Sequence, residues 1–522
     1  GTDQGSYDSA AIKILDGTFP KQPYFYNPGY YYFLSLVYLI FGHNREITIN
    51  IQILIGISTY LLTYLIARKV FNKNIDFISL ILCSFYGIFM VYEAVFLSAV
   101  LEVFFLTLII FLLVSWINSV SCKKFLLIGI AIGFAALVRP TILLLIPIFF
   151  FWIFIKLVRE RKKLIVGISG ILLGLIISIS PCTIRNYLCN SKLTLVSSNG
   201  PVNFWIGNNP DANGTYGFSP YANILREKME KTGQDLWIPD ALNFIKKQPE
   251  QYFRLLLKKF CLFWDSYESP DNDVVIDRIK NHSPLLRLPF ILSWGIIIPL
   301  GIGGIFLSLR KWWKKSILLY MTIIGYTGAV VLFFIQSRFR IAIIPLLIIF
   351  AGFTIYYGYE KIREKEFNNL FISLALVIIF YLMINFQTHF GWTYPMFHPY
   401  GTIVDSRKGV IVRDDSGEWH GEGLKVLDSP EKVIKKELII KEDISQLKDA
   451  QLILNYFAND KGSLLIKVNE YSFPEIPCSQ ITYGKFMRLA KFGLKPDSLR
   501  KGLNTISLKV TSGGNVQILM DN

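Results

Sequence analysis

Three acidic residues have positions at which a carboxylate could do chemistry. Asp3 lies near the start of the chain, Glu93 follows an apolar stretch, and Glu102 lies about two turns into the next one. A lone aspartate in a loop is usually a helix cap or a solvated charge, whereas a carboxylate inside an apolar segment is costly and is normally partnered. Glu102 is therefore either a functional residue or a structural hydrogen-bond acceptor for a neighbouring helix, and both interpretations stay open.

Arginines at the ends of apolar segments form a second group of candidates. Arg139 lies in Val-Arg-Pro-Thr, Arg185 in Ile-Arg-Asn-Tyr, and Arg338 and Arg340 in Ser-Arg-Phe-Arg. The planar guanidinium fork donates two parallel hydrogen bonds, a geometry that suits a phosphate. Lipid head groups could satisfy any one of them, but their clustering favours a bound phosphate.

A polar, aromatic stretch follows the long apolar segment that ends near Pro181. Its hydrogen-bonding side chains, glycines and ring faces suit a carbohydrate or phosphate head group held at a membrane surface. The candidate ligand-binding residues in it are Asn186, Tyr187, Asn203, Trp205, Asn208 and Asn209.

The composition of the chain indicates which structural elements must position these residues. The chain has 522 residues, of which 52% are hydrophobic and 18% charged, with a mean hydropathy of +0.42. Apolar runs long enough for a bilayer core of about 30 Å predict a polytopic, mainly α membrane bundle. The spans are expected near 46–70, 74–92, 95–117, 124–140, 141–157, 163–183, 285–309, 314–335, 338–358 and 366–386.

The short loops that carry most lysines and arginines alternate with loops that are nearly free of them. The positive-inside rule makes the basic loops cytoplasmic, in a multi-pass protein of the plasma (inner) membrane. The net charge of +16 then reflects topology, and nucleic acid is not an expected partner. Residues 1–45, the loop 184–284 and the tail from about 387 fall outside, and a further transmembrane helix is expected before Gly1. The segment Tyr30–Gly42 is expected to lie in the outer interface.

Two domains are predicted. Residues 1–386 form the transmembrane module, which includes the exterior loop 184–284 and a juxtamembrane helix from Trp237 to Phe263. Residues 387–522 form an extracytoplasmic all-β sandwich of jelly-roll type. Within it, the strands at 451–456 and 463–468 are expected to pair, and a hairpin is expected at Gly513-Gly514.

Taken together and in this order, the motifs resemble a known family. Asp3-x-x-x-Tyr7, the acidic residue after the third helix, Arg139-Pro140-Thr141 and Arg338-Phe339-Arg340 resemble the polytopic C-type glycosyltransferases. More narrowly, they are similar to family 39, the relatives of protein O-mannosyltransferases and aminoarabinose transferases. The segments at Arg185-Asn186-Tyr187 and 204–209 resemble a bacterial branch. The likeness covers roughly residues 1–386.

The resemblance implies an enzyme that takes a sugar from a polyprenyl-phosphate donor and attaches it to a protein, lipid or glycan acceptor outside the cytoplasm, with membrane lipid around it. The arginines would stabilise the phosphate leaving group. Asp3 would be the general base, which typically contributes about 10²–10⁴-fold, and direct displacement would invert the anomeric carbon. Tyr7, Asp8 and Glu93 would bind or orient the sugar or acceptor.

The sequence also departs from the family. Relatives often carry an Asp-Glu pair where this chain has Asp3-Gln4, so a divalent metal is doubtful and no cofactor is firmly implied. The Lys-Pro-Pro element of aminoarabinose transferases is replaced by Tyr26-Asn27-Pro28-Gly29-Tyr30, which disfavours that substrate. The remaining alternatives are a lipid-linked glycan polymerase or ligase, a transporter of lipid-linked saccharide, and a membrane-tethered binding protein.

Overall fold

The structure is a computed structural model that describes residues 3–190, 193–216, 221–266 and 291–390. Of the C-terminal part it describes 403–405, 410–412, 426–427, 433–440, 450–458, 463–477, 488–494, 496–500, 502–511 and 516–518. The chain forms two compact units, one from 1–217 with 237–393 and the other from 218–236 with 394–522. The residues Gly513 and Gly514 of the predicted hairpin lie outside the described residues.

The first unit is helical. Its helices are α1 (Asp3–Leu15), α2 (Pro28–Phe41), α3 (Arg45–Val70), α4 (Lys73–Ser84), α5 (Gly87–Glu93), α6 (Ala99–Trp116), α7 (Cys122–Val138), α8 (Ile146–Leu157, after a 3₁₀ turn Pro140–Leu145), α9 (Arg161–Asn190), α10 (Gly200–Gly207), α12 (Trp237–Lys247), α13 (Pro249–Trp264), α14 (Trp294–Val331), α15 (Ser337–Arg363) and α16 (Phe367–Phe390). Helix α11 (Tyr221–Thr232) belongs to the second unit.

Seven helical segments in the described part of the chain are long and apolar enough to cross a membrane. A helix satisfies all of its backbone hydrogen bonds internally, which an apolar environment requires. The prediction of a mainly α, polytopic bundle is therefore confirmed. The seven segments are Arg45–Val70, Ala99–Trp116, Pro140–Leu157, Arg161–Asn190, Trp294–Val331, Ser337–Arg363 and Phe367–Asn385.

The predicted span 74–92 is broken. Helix α4 has 12 residues, or about 18 Å of rise, and ends before Tyr86. Phe85 and Gly87 use their backbone groups to bond Leu292 instead of the next turn. This bridge interrupts the helix, and α5 then turns Glu93 toward α3. The expected single helix Trp237–Phe263 is also divided, because the residue before a proline is driven out of the helical conformation, here at Gln248.

Helix α14 is continuous in its hydrogen bonding but sharply bent. Ser308 and Tyr320 would be about 18 Å apart on a straight helix, yet their hydroxyl oxygens are 2.7 Å apart. Phe350 of α15 contacts both arms, since its carbonyl lies against Gly304 and its ring stacks on Tyr320 at 5.1 Å. The two arms correspond to the spans predicted at 285–309 and 314–335, and the basic residues 310–315 occupy the bend.

The basic loops meet at one end of the unit, which we call the basic end. Lys156 donates to the carbonyl of Lys314 at 3.2 Å, and Asn74 donates to the hydroxyl of Tyr356 at 3.0 Å. The sequence prediction that these loops share one side agrees with these contacts. The opposite end, called the site end, carries α1, α2 and the first residues of α3 and α15.

The second unit contains antiparallel sheets. The strands are β1 (Ile403–Asp405), β2 (Val410–Val412), β3 (Val426–Leu427), β4 (Val433–Ile440), β5 (Ala450–Ala458), β6 (Ser463–Val468), β7 (Tyr471–Ser472), β8 (Ile476–Pro477), β9 (Arg488–Leu494), β10 (Gly502–Val510) and β11 (Val516–Ile518). One sheet has the order β4-β10-β6-β7 with β8 on β6, another has β3-β11-β5-β9, and β1 pairs with β2.

The all-β composition of this region is as predicted, but the strand pairing is not. Strands β5 and β6 were expected to pair with each other, and they belong to different sheets; the same holds for β10 and β11. Strand β5 pairs instead with β9 and β11, and β6 pairs with the distant strand β10 and with the short strands β7 and β8 that follow it. Sequence alternation identifies a half-buried strand and does not identify its partner.

Candidate active site

An ion pair between the first and the fifteenth helix forms the centre of the site end. Asp3 begins α1 and Arg338 lies in the first turn of α15, and Oδ2 of the former is 2.7 Å from Nη1 of the latter. Their side chains are only 13% and 17% exposed. Nε of Arg338 also donates to the side-chain oxygen of Gln336 at 3.2 Å. A carboxylate and a guanidinium that are 335 residues apart in sequence are thus held together with limited solvent access.

A second guanidinium lies beside the first. Arg139 ends α7 in an extended conformation, as expected for a residue that precedes a proline. Its guanidinium carbon is 3.9 Å from the ring centroid of Phe339, and that of Arg338 is 5.2 Å from the same ring. An aromatic ring attracts cations to its face, so Phe339 brings two fixed positive charges close together next to Asp3.

Glu102 orients Arg139. Its Oε2 is 2.6 Å from Nη1 of Arg139, with side-chain exposures of 7% and 16%. Its Oε1 accepts a 2.5 Å hydrogen bond from the hydroxyl of Tyr326 on α14. The structural interpretation left open by the sequence therefore holds, because Glu102 accepts from a neighbouring helix. Its contact with Arg139 is consistent with the functional interpretation, which stays a prediction.

Tyrosines surround Tyr7 on the other side of Asp3. The ring centroid of Tyr7 is 5.9, 5.0 and 5.5 Å from those of Tyr26, Tyr30 and Tyr31. Burial raises the pKa of Tyr7, so its hydroxyl stays protonated as a hydrogen-bond donor. The packing depends on Gly29, since a Cβ there would lie 2.7 Å from the backbone of Leu137 at the end of α7.

A buried polar network connects this tyrosine cluster to Glu93. Gln52 of α3 accepts from the hydroxyl of Tyr30 at 2.6 Å and donates to the carbonyls of Glu93 and Val95 at 2.9 and 3.0 Å. The carboxylate of Glu93 accepts from Tyr60 at 2.6 Å. Sequence reasoning missed Gln52 and Tyr26. Gln52 could have been found from the sequence, because a polar residue inside an apolar span is costly and is normally partnered.

Four of the predicted ligand-binding residues are buried and form hydrogen bonds with protein groups. Arg340 donates to the carbonyls of residues 262, 263 and 265 and lies 4.2 Å from the ring centroid of Trp294. Asn186 accepts from the backbone of Tyr24 and donates to two carbonyls. Trp205 donates to Asp240 at 2.8 Å, and Asn209 donates back to its own helix. These contacts secure the segments around the site and leave these groups little capacity for a ligand.

Asn208 is buried with an unusual partner. Its side-chain oxygen accepts from Nζ of Lys259 at 2.9 Å, and its amide donates to the carbonyls of Phe204 and Leu332. Burial lowers the pKa of Lys259 to about 7. Asn208 therefore joins α10, α13 and the end of α14.

The remaining predicted residues lie around the margins. Asp8 accepts from Tyr38 at 2.5 Å and lies 2.9 Å from the imidazole of His43. Arg185 donates to the carbonyls of residues 20 and 22 and stacks 4.0 Å from the centroid of Tyr24. Both Arg185 and Asn186 lie within α9, which continues past the expected end at 183 to Asn190. Tyr187 is 53% exposed, and Asn203 is half-buried.

Carboxylates, histidines and cysteines do not gather into a metal-binding group within the described residues; no three of them are placed to hold one ion. The chemistry available from the side chains that do meet is that of two carboxylates, of which Asp3 pairs with Arg338 and Glu102 with Arg139, together with two guanidiniums and phenolic hydroxyls. Such a set can accept a proton and stabilise a phosphate anion.

Comparison with known proteins gives a family match to part of the chain. Residues 21–184 match the dolichyl-phosphate-mannose-protein mannosyltransferase family. No curated protein sequence matches the chain.

Solved structures of the Archaeoglobus fulgidus oligosaccharyltransferase are similar over 74% of this chain. The apo form has 14% identity and a TM-score of 0.43, and the complex with Zn and sulfate has 17% and 0.44. The complex of that enzyme with an inhibitory peptide and a dolichol-phosphate has 15% and 0.39. The chain spans about half the length of these structures, at 51%, 49% and 51% of each.

Proposed function

We propose that the chain is a multi-pass membrane glycosyltransferase of C type and that it transfers a sugar from a polyprenyl-phosphate donor to an acceptor hydroxyl at its site end. The match of residues 21–184 to a mannosyltransferase family supports this proposal. The donor class is that of the matched family, whose description names a lipid phosphate sugar. The acceptor is a protein, a lipid or a glycan.

The contact between Asp3 and Arg338 carries this proposal. Their 2.7 Å ion pair brings a base beside a phosphate-binding group, and the ring of Phe339 adds Arg139 as a second cation at 3.9 Å. Sugar transfer from a lipid phosphate needs both functions within one site. The leaving group is already an anion, so fixed cations stabilise the transition state better than a general acid would.

In the reaction we propose, the carboxylate of Asp3 accepts the proton of the acceptor hydroxyl as its oxygen attacks the anomeric carbon. The bond from that carbon to the phosphate oxygen breaks, and the polyprenyl phosphate leaves bound by Arg338 and Arg139. Direct displacement inverts the anomeric carbon. A positioned base contributes about 10²–10⁴-fold to the rate. The protonated hydroxyl of Tyr7 and the ring of Tyr26 face this region and would hold the sugar.

The topology proposed from the basic loops places the reaction on the extracytoplasmic face of the plasma (inner) membrane. Contacts between those loops at the basic end support a common cytoplasmic side, and positive loops are retained in the cytoplasm. Residues 1–386 would be the catalytic module and residues 387–522 a separate extracytoplasmic domain.

The test is release of polyprenyl phosphate by the full chain in nanodiscs. A panel of polyprenyl-phosphate hexoses and pentoses would be supplied with membrane extract as the acceptor. We expect one donor to be consumed, Asp3→Asn to lower the rate at least 10²-fold, and the product to have the inverted anomeric configuration by NMR. Asp16→Asn, one residue past the end of α1, is the matched control and should keep its activity.

The outcomes separate the parts of the proposal. Equal release by the wild type and Asp3→Asn would remove Asp3 as the base. Retention of configuration would exclude direct displacement. If no donor in the panel were consumed and proteoliposomes moved intact lipid-linked glycan instead, the transfer reaction itself would be rejected.

A further inference from the structure

The basic end of the bundle contains a cleft that the proposed reaction does not use. It has a volume of about 710 Å³ and opens between α3, α4 and α15. Three cations line it: Arg68 from the end of α3, Lys73 from the start of α4 and Arg363 from the end of α15. Within the described part of the chain, none of these three forms an ion pair with a carboxylate. This arrangement differs from the site end, where Arg139 and Arg338 each bind an acidic side chain.

A buried carboxylate lines the same cleft without pairing with those cations. Asp76 lies in the first turn of α4 and is 2% exposed. Among the described residues its Oδ2 has no hydrogen-bond partner. Buried polar groups are nearly always satisfied, and an unsatisfied carboxylate oxygen is costly. The wall of the cleft therefore contains a buried carboxylate oxygen without a donor, and among the described residues the three cations that line the cleft have no paired anion.

One class of ligand supplies both the hydrogen-bond donor for Asp76 and the anion for the three cations. We propose that the cleft binds the head group of an ethanolamine phospholipid, with the phosphate at Arg68, Lys73 and Arg363 and the ammonium at Asp76. Guanidinium and ammonium groups bind phosphate oxygens strongly, and an ammonium group has three N–H donors for a carboxylate. A purely anionic head group would bring its charge against Asp76. A choline head group has no N–H donor and would leave Oδ2 unsatisfied.

The surface beside the cleft identifies the source as a membrane lipid. Phe77, which lines it, is 59% exposed, and Tyr359 is 60% exposed. One turn of α15 further along, Ile362 is 56% exposed. Tyr359 and Ile362 belong to α15, which is apolar enough to span a membrane, and Phe77 belongs to α4, so acyl chains can pack against these exposed side chains while the head group occupies the cleft.

The experiment on the ligand side needs no mutation. Delipidated full-length protein in detergent would be titrated with dioleoyl phosphatidylethanolamine, its N-methyl and N,N-dimethyl forms, phosphatidylcholine and phosphatidylglycerol, with native mass spectrometry as the readout. We expect affinity to fall as methyl groups replace N–H donors, by about tenfold in total, with phosphatidylglycerol weaker than phosphatidylethanolamine. Equal binding across the methylation series, tighter phosphatidylglycerol binding, or no bound lipid would overturn the proposal. Soluble phosphoethanolamine binding as tightly as the lipid would overturn the membrane source.

Variants of the cleft residues test which residue binds the ammonium and which binds the phosphate of the head group. Asp76→Asn should remove the preference for ethanolamine over choline, and Arg68→Gln should weaken every phosphate-bearing lipid. The control is Lys69→Gln, because Lys69 is the next residue but contacts the ring of Phe111 at 5.9 Å instead of lining the cleft. An unchanged ethanolamine preference in Asp76→Asn would reject the assignment of the ammonium. If that variant does not fold, the methylation series on the wild type still decides.

Discussion

The buried pair of Glu102 and Arg139 gives the sharpest test of how the site is held. The two side chains are 2.6 Å apart and 7% and 16% exposed, so neither charge is well solvated alone. Removing one partner of a buried pair usually destabilises a protein by about 3–5 kcal/mol. Arg139 retains its contact with the Phe339 ring and some access to solvent, so Glu102→Gln should cost about 3 kcal/mol, near the lower limit.

A double-mutant cycle isolates that interaction. Glu102→Gln, Arg139→Gln and the double variant would be unfolded by denaturant in mixed micelles, with far-ultraviolet circular dichroism as the signal. Because the double variant leaves no isolated charge, we expect it to be more stable than the two single effects predict, with a coupling of about 2 kcal/mol. Single effects that add to within about 0.5 kcal/mol would refute the reasoning and leave Glu102 as an independent acceptor for Tyr326.

Three further predictions concern contacts elsewhere in the helical unit. Gln52→Leu leaves the buried hydroxyl of Tyr30 without its acceptor and removes one hydrogen bond from each of two buried carbonyls, of which that of Val95 keeps its bond from the backbone of Leu97. It should lower the free energy of unfolding by about 2 kcal/mol in the same denaturant assay, and a loss below about 0.5 kcal/mol would contradict the network. Gly304→Ala should destabilise by about 1–3 kcal/mol, because a Cβ there lies 2.0 Å from the carbonyl of Phe350, whereas the control Gly328→Ala has open space; equal effects would refute the close approach. Burial lowers the pKa of Lys259 from 10.5 to about 7, so between about pH 7 and 10.5 the unfolded chain binds more protons than the folded protein, and the free energy of unfolding should rise with pH. Lys259→Met should lose that rise in thermal unfolding measured as a function of pH. An identical pH dependence in the variant would exclude this lysine as its source.

Much of the bundle could be predicted because membrane spans depend on local composition. A carboxylate inside an apolar run is costly unless it has a partner, so Glu102 could be identified as partnered from the sequence alone. The pairing of Glu102 with Arg139 joins positions 37 residues apart, and the pairing of Asp3 with Arg338 joins positions 335 residues apart. Neither partner follows from local pattern, because only the packing of the helices brings them together.

Tertiary contacts determine the features that local sequence pattern does not. Trp205 and Asn208 have side chains that bind sugars in many settings, but here α12 and α13 cover them and supply Asp240 and Lys259 as partners. The break in the span 74–92 depends on Leu292, some two hundred residues later, which takes the backbone bonds of the next turn. Residue type indicates what a side chain can bind, whereas tertiary contacts determine what remains available.

Asp3, the proposed base, is paired with Arg338, the proposed phosphate-binding residue. Removing this catalytic group should therefore have an unusual effect, which is tighter binding of the donor. In the absence of substrate, Asp3 occupies a donor of Arg338 at 2.7 Å, so the donor phosphate must compete with that carboxylate. Asp3→Asn removes the competing charge while leaving a side chain of the same size. We therefore expect it to abolish turnover and yet bind a non-transferable donor analogue more tightly, by roughly fivefold for about 1 kcal/mol of released competition.

Arg338→Gln should change the affinity for the donor analogue in the opposite direction. It should weaken binding of the same analogue, because it removes one of the two cations that Phe339 brings together, and it should also lower kcat through the less stabilised leaving group. The measurement is the Kd of the analogue for each variant, at two salt concentrations, since competition between charges weakens as screening increases. Weaker binding by Asp3→Asn than by the wild type would show that Asp3 helps to hold the donor, and the competition between carboxylate and phosphate would have to be abandoned.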